Sequence, residues 1–273
     1  MSFSTWAESI VSPFAVLFQH RVLTWELAKR EITDRYVGQM LGVAWAIGHP
    51  LMLVAIYIVI FQYVFKARIG SDEAPLDYPA FLLSGLLPWL AFQESMSKGA
   101  SVIVGNSNLV KQVVFPLEVL PVKAVLSSWV TQAIGTGCLI IYVICMTGAL
   151  PWTFALLPAL WVIQMLGMIG VSYFLATIGV YVRDCKDIVQ VFCTIGIYLM
   201  PIVYAADSAP PILQTALAFN PFSHIGWCYQ DACFHGQIMH PWSWILFTFL
   251  SCSLFYFGFW WFRKVKVHFG SVL

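Results

Sequence analysis

The sequence predicts an all-α integral membrane protein: six transmembrane helices, an N-terminal amphipathic interface helix, and short re-entrant helices between spans 5 and 6. Three observations predict it. Of 273 residues, 60% are apolar and only 10% are Asp, Glu, Lys or Arg, whereas a soluble domain carries about 25% charged residues. Six apolar runs are long enough for a hydrocarbon core, which takes about 20 residues per helix. Twelve of the fourteen Lys and Arg residues fall in one alternating set of loops. Too little polar surface remains for a water-soluble enzyme. A formal charge of +1 argues against a nucleic-acid partner.

Residues 1–36 form an N-terminal segment ahead of a transmembrane domain at 37–273. Late positive charge and the lack of a cleavage pattern argue against a secretory signal. Ser12-Pro13 suits a helix start, with Ser as cap and Pro in the first turn. Phe14, Phe18, Val22, Trp25 and Ile32 then share one face, and Gln19, Glu26, Arg30 and Asp34 the other. Such a helix either lies along the membrane interface or packs on other protein. The spans follow at about 37–65, 79–104, 117–146, 152–181, 188–205 and 241–262. Gly38, Gly42 and Ala46 repeat at four-residue spacing, a pattern that permits close helix approach at the start of span 1. His49 precedes Pro50, a helix-kink position. Between spans 5 and 6, Pro210, Pro211 and Pro221 break up runs too short to cross but apolar enough to dip into the membrane.

The cationic loops hold Arg21, Lys29, Arg30 and Arg35, then Lys98, Lys111 and Lys123, then Arg183 and Lys186, and last Arg263, Lys264 and Lys266. The other loops hold only Lys66 and Arg68. The positive-inside rule then places both termini in the cytoplasm.

The sequence has no G-x-x-x-x-G-K-[ST], G-x-S-x-G, H-E-x-x-H or C-x-x-C pattern, so no nucleotide cradle, nucleophile elbow or paired metal ligands are expected. Seven cysteines do not form a disulfide framework: Cys228 and Cys233 point apart on a helix, and Cys185 is a cytoplasmic thiol. Glu94 lies inside span 2, where an ionisable group is a functional candidate; Lys98, four residues on, offers it a structural partner. Aromatic residues mark two stripes: Tyr57, Phe61 and Phe65 at i, i+4 and i+8, and Phe192, Tyr198 and Tyr204 along span 5. Flat rings there either pack against lipid and core or let a sugar chain slide past with few strong bonds to break. The polar stretch Gly105 to Lys111, followed by Phe115-Pro116, either connects two spans or projects a short helix toward a soluble partner. Arg183-Asp184-Cys185-Lys186-Asp187 is a second charged turn.

Several separated motifs, in this order, carry a resemblance. They are Arg35-Tyr36-Val37-Gly38-Gln39-Met40-Leu41-Gly42-Val43-Ala44-Trp45, Leu83-Ser84-Gly85-Leu86-Leu87-Pro88-Trp89, Asn108-Leu109-Val110-Lys111, Phe115-Pro116-Leu117-Glu118-Val119-Leu120-Pro121, Val182-Arg183-Asp184, Asn220-Pro221-Phe222 and Tyr229-Gln230-Asp231. Together they resemble the membrane subunit of the polysaccharide-exporting ABC transporters, which move O-antigen, capsule or teichoic-acid chains bound to lipid. Departures are His49 where the family usually has Asn, Leu117 where it often has Arg, and Gln230 where Tyr-Arg-Asp is typical; the last removes an anionic-group contact near the outer gate.

The resemblance implies a half-transporter in the bacterial inner membrane. Two copies form the path for a lipid-linked glycan, and two copies of an ATP-binding subunit supply the energy. No cofactor is expected on this chain; ATP and Mg²⁺ belong to the partner. Asn106, Asn108, Leu109, Lys111 and Phe115, with Arg183 and Asp184, are implied to meet the ATPase. Tyr57, Phe61, Phe65, Phe192, Tyr198 and Tyr204 are the expected substrate path. Asn220, Pro221, Tyr229 and Asp231 are implied to belong to the outer gate. Alternatives are export of a small drug or haem-like molecule by the same fold, or a membrane-embedded transferase. The transferase would need clustered acids or histidines, and Asp72, Glu73 and Asp77 form the only external acidic cluster.

Overall fold

A computed structural model describes residues 13–65, 76–112 and 115–272. The described residues form helices and no strand: α1 (Arg21–Asp34), α2 (Trp45–Ile58), α3 (Tyr78–Ser101), α4 (Ser107–Gln112), α5 (Val119–Thr147), α6 (Leu157–Tyr181), α7 (Cys185–Gly196), α8 (Pro211–Phe219), α9 (Pro221–Gln230), α10 (Pro241–Val265) and α11 (Phe269–Val272). Four are long and apolar enough to cross a membrane: Gly42–Val64, Val119–Thr147, Trp152–Tyr181 and Pro241–Val272. They match expected spans 1, 3, 4 and 6.

Expected spans 2 and 5 differ, each for a physical reason. The helix α3 is 24 residues long, but Gln93, Glu94, Ser95 and Lys98 make its last turns too polar for a lipid-facing segment. It is instead the centre of the bundle, buried over nearly its whole length and packed against α5, α6, α7 and α9. Expected span 5, at 188–205, starts earlier and stops sooner. It runs from Cys185 to Gly196, tightens to a 3₁₀ turn at Ile197–Leu199, and ends with Met200 extended. Pro201 forces that end, because its ring disfavours helical geometry in the residue before it.

Local chemistry sets the other boundaries. Asp77 caps α3, its Oδ1 accepting from the Ala80 N–H at 3.4 Å, with proline in the first turn. Gly148, at φ 72°, ends α5 in the left-handed conformation that glycine tolerates best. Asn220 caps α9, accepting from the Phe222 N–H at 3.0 Å. Gly38 and Gly42 have φ of 81° and 50° and lie in the turns before α2, with open space around both. The small-residue pattern expected to seat one helix on another is therefore a pair of turns, and the glycines are needed for backbone sign. Close helix approach occurs elsewhere, at α6 and α10. A Cβ on Gly170 would meet the Leu254 backbone, and one on Gly258 would meet the Gly170 carbonyl. Lipid gives little hydrophobic drive for helix association, so such intimate backbone contact carries much of it.

The elements share two ends. One, the basic end, gathers Arg35, Lys98, Lys123, Lys266 and their acidic partners. The ends of α3 and α6 meet there, because Gly179 packs directly on the Ala100 carbonyl. At the opposite end Thr153 donates to the Ala232 carbonyl at 2.7 Å and Tyr78 to the Val203 carbonyl at 2.6 Å. Ser12, Lys66, Arg68, Asp72 and Glu73 lie outside the described residues.

Candidate functional site

The basic end is held by a charged cluster that joins three helices. Glu94 of α3 pairs with Lys98 at 3.0 Å, the expected i, i+4 partner, and also with Arg35 beyond α1. Lys98 lies 3.1 Å from Glu31 of α1, and Lys123 of α5 lies 3.4 Å from the same carboxylate. Ser127 donates to Glu31 at 3.0 Å. Burial alone would push the Glu31 carboxyl up, but Lys98 and Lys123 outweigh it and hold it below its usual value. Burial pulls on Arg35 as well, and Glu94 keeps its guanidinium more firmly charged than usual. A second cluster binds the buried Glu118 to Lys266, with Arg263 at 3.8 Å. The sequence pairs Glu94 with Lys98 and places Arg35 and Lys123 in cationic loops, but nothing in their spacing joins them to Glu31, which was missed.

The helix α1 buries Thr24 and Ala28 against α5 and leaves Val22 and Trp25 exposed, as are Phe14 and Phe18 just before it. Thr24 and Ala28, which pack on protein, belong to neither of the two expected faces, and Ile32 of the apolar one is half-buried.

The expected ATPase-contacting residues gather at this end. Val104–Asn106 forms a 3₁₀ turn, and α4 follows with Asn108 exposed and Leu109 half-buried. Asn106 donates to the Val102 carbonyl at 2.7 Å. Lys111 sits in the last turn of α4, and half-buried Phe115 packs on the core. Arg183 and Asp184 are exposed in the turn between α6 and α7. The short α11 packs against α4 and α6, and Phe269 faces Tyr181 across 6.5 Å.

The expected aromatic path divides in two. Tyr57 stacks on Phe61 at 6.0 Å, Phe61 meets Phe65 at 5.5 Å and Tyr78 at 5.0 Å. Phe192 packs on Phe222 at 5.8 Å, while Tyr198 is exposed and its carbonyl accepts from Tyr204 at 2.9 Å. The central α3 separates the sets. Its Leu87, Leu90, Ala91 and Glu94 face α2 across a largely apolar groove of about 570 Å³, which also includes His49, Tyr57, Thr131 and Gln132. Its Trp89 and Phe92 face the other way, toward Phe222 of α9. His49 bonds back to the Trp45 carbonyl at 3.1 Å, which requires its Nδ1 to carry the proton.

The expected gate residues form a fixed framework. Asn220 also donates to the Leu199 carbonyl at 2.7 Å, tying α9 to the end of α7, and Pro221 starts α9. Buried Tyr229 bonds to Gln164, and Gln132 donates to the Tyr229 hydroxyl at 3.1 Å and to Gln164 at 2.8 Å. That triad links α5, α6 and α9; the two glutamines within expected spans 3 and 4 were its unread signal. Asp231 is fully buried, accepting from the His240 ring at 2.8 Å, the His240 N–H at 3.0 Å and the Trp244 indole at 3.1 Å. Gln230, in place of the family's Arg, donates to the Pro201 carbonyl at 2.6 Å. Cys185, Cys228 and Cys233 are buried free thiols.

This arrangement has a charged, turn-rich end, polar contacts buried between helices, and short helices that reach to Trp89, half-way along α3. Residues 22–234 match the family described as ABC-2 type transporter. The chain belongs to that family. Among its relatives, an O-antigen export system permease protein RfbA of Klebsiella pneumoniae is 27% identical over 249 residues, covering 90% of this chain and 93% of the relative. A Myxococcus xanthus protein of the same name is 29% identical over 219 residues, covering 78% and 81%. The polysialic acid transport protein KpsM of Escherichia coli is 23% identical over 212 residues, covering 77% and 80%. The ABC-2 family supplies membrane components of transporters, and the helices long enough to cross a bilayer suit that role.

Proposed function

We propose that this ABC-2 chain is the membrane-spanning subunit of an exporter for a lipid-linked, O-antigen-like polysaccharide, driven by ATP hydrolysis on a separate subunit. The observation that carries the reading is the end-to-end similarity to proteins named as O-antigen export permeases. The sequence supplies no P-loop, so ATP and Mg²⁺ act on the partner. Two copies of the chain form the path, and two ATPase subunits seat on the basic end. By the positive-inside rule that end is cytoplasmic, with both termini, in the bacterial inner membrane.

The geometry supports a route for force. A push on α4 and on the Arg183–Asp184 turn acts on the joined ends of α3 and α6. The charged cluster around Glu31 and Glu94 couples the same end to α1 and α5. Movement of α3 would alter how α2 and α7, on its two sides, approach the second copy. The glycan then passes the aromatic side chains while its lipid stays in or near the bilayer. The short helices α8 and α9, whose junction reaches the middle of α3, act as the gate. Phe18, with Val22 and Trp25 of α1, lies along the cytoplasmic interface.

The test is a deletion strain complemented with this chain and its ATPase subunit. Surface glycan should vanish on deletion, lipid-linked glycan should collect inside, and complementation should reverse both. Unchanged surface glycan, with loss of drug resistance or haem export instead, would contradict the reading and favour a small amphipathic cargo.

A further inference from the structure

The helix α7 buries only a narrow stripe, Cys185, Val189, Cys193 and Gly196. Gly196 packs on the indole of Trp89, half-way along α3, so α7 occupies the half of the bundle next to the basic end. Asp187, Gln190 and Thr194 are all exposed. At 100° per residue these three fall within one narrow face, and Tyr198 follows in the 3₁₀ turn beyond it. A shallow groove of about 380 Å³ runs along that face, bordered by Val191 and Ile195. Thr194 donates to the Gln190 carbonyl at 2.9 Å. Among the described residues, the Gln190 amide and the Asp187 carboxylate have no partner.

Three surroundings are conceivable for such a face. Hydrocarbon offers no hydrogen bonds, and polar side chains at that depth turn to protein or water. A second copy meeting it about a two-fold axis along the membrane normal would bring Asp187 against Asp187, an unfavourable like-charge contact. The exposed face of α2, with Ile47, Leu51 and Ile56, carries one polar side chain, His49, whose Nδ1 is already given to the Trp45 carbonyl, too little to match three polar side chains. A water-filled path suits it. Carboxylate, amide and hydroxyl groups together accept from and donate to sugar hydroxyls.

From this placement we infer that Asp187, Gln190 and Thr194 form a hydroxyl-binding rail at the cytoplasmic entrance of the path, which engages the glycan by hydrogen bonds before it reaches Tyr198. Phe192 lies off the rail, on the side packed against Phe222. The inference rests on the polysaccharide reading above.

The experiment uses the complemented deletion strain. Pulse-labelled surface glycan is measured for wild type, for Gln190→Leu with Thr194→Val, and for the conservative pair Gln190→Asn with Thr194→Ser. The apolar pair should slow export at least about fivefold, the scale of one or two lost hydrogen bonds, with normal assembly with the ATPase. The conservative pair should retain most export. In parallel, Gln190→Cys should react with an impermeant maleimide in inside-out vesicles above the wild-type background, and Ile188→Cys should not. Normal export by the apolar pair, absent labelling at position 190, or loss of the dimer in the apolar pair would each overturn the rail. If wild type itself restores no surface glycan, the polysaccharide reading fails and the rail's ligand with it.

Discussion

The Glu31 carboxylate of α1 stands 3.1 Å from the Lys98 ammonium of α3. Lys123 of α5 approaches the same carboxylate at 3.4 Å. One acidic side chain thus gathers three helices at the end where the ATPase is proposed to act. Its removal should loosen α1 without unfolding the bundle, because the contacts of α6 with α10 lie elsewhere.

The cluster has a pH signature. The Glu31 carboxyl is held below its usual value despite burial, by Lys98 and Lys123. Its contribution to stability is complete above the unfolded-state value of about 4.3, and disappears as pH falls through the lower folded value. Thermal melting of the purified protein, followed from pH 7 downward, should show a loss in that acidic window. Glu31→Gln should remove about 1 to 2 kcal/mol at pH 7 and flatten this part of the profile.

Arg35 and Glu94 test coupling separately from stability. Glu94→Gln leaves Arg35 and Lys98 short of one partner, a change of about 1 kcal/mol for a partly exposed pair. Assembly with the ATPase should persist while glycan exported per ATP hydrolysed falls. Exchanging the charges, Arg35→Glu with Glu94→Arg, should recover part of the loss. Equal coupling in all three proteins, measured as labelled glycan against phosphate released, would remove the cluster from the force path.

Asp231 predicts the behaviour of the opposite end. Its buried carboxylate holds two groups of His240 and the Trp244 indole. Asp231→Asn keeps the shape but loses the charge, which should cost about 2 kcal/mol. Protease added from outside should cut 206–240 faster in the variant, with α3 and α6 still protected.

Both aromatic sets are expected to serve export. Tyr57→Ala and Tyr198→Ala should each slow surface glycan appearance while expression and ATPase binding persist. Normal surface glycan in both variants would exclude an aromatic track.

Much of this was readable in sequence, and the failures have causes. The limits expected for span 4 coincide with those of one apolar helical stretch, Trp152–Tyr181, because Trp152 and the charged turn at Arg183 flank a single apolar run. Span 5 was drawn too long because Ile202 to Ala205 continue the hydropathy beyond Pro201, and hydropathy does not register that a proline fixes the residue before it. Gly38 and Gly42 looked like a helix-packing stripe because spacing carries no information on φ. Glu31, Glu94 and Lys123 are far apart in the chain, so only folding reveals one cluster. Asn220 and Asp231 stand out by resemblance; their cap and buried-acceptor roles exist only in the folded chain.

The most direct test of the central claim is transport in proteoliposomes that hold this chain, its ATPase subunit and a labelled lipid-linked polysaccharide on the ATPase-facing side. The account predicts that ATP with Mg²⁺ moves the label to the protected side. An ATPase that binds but cannot hydrolyse ATP should abolish that movement. Equal movement with the hydrolysis-dead subunit, or none with the intact pair, would contradict it.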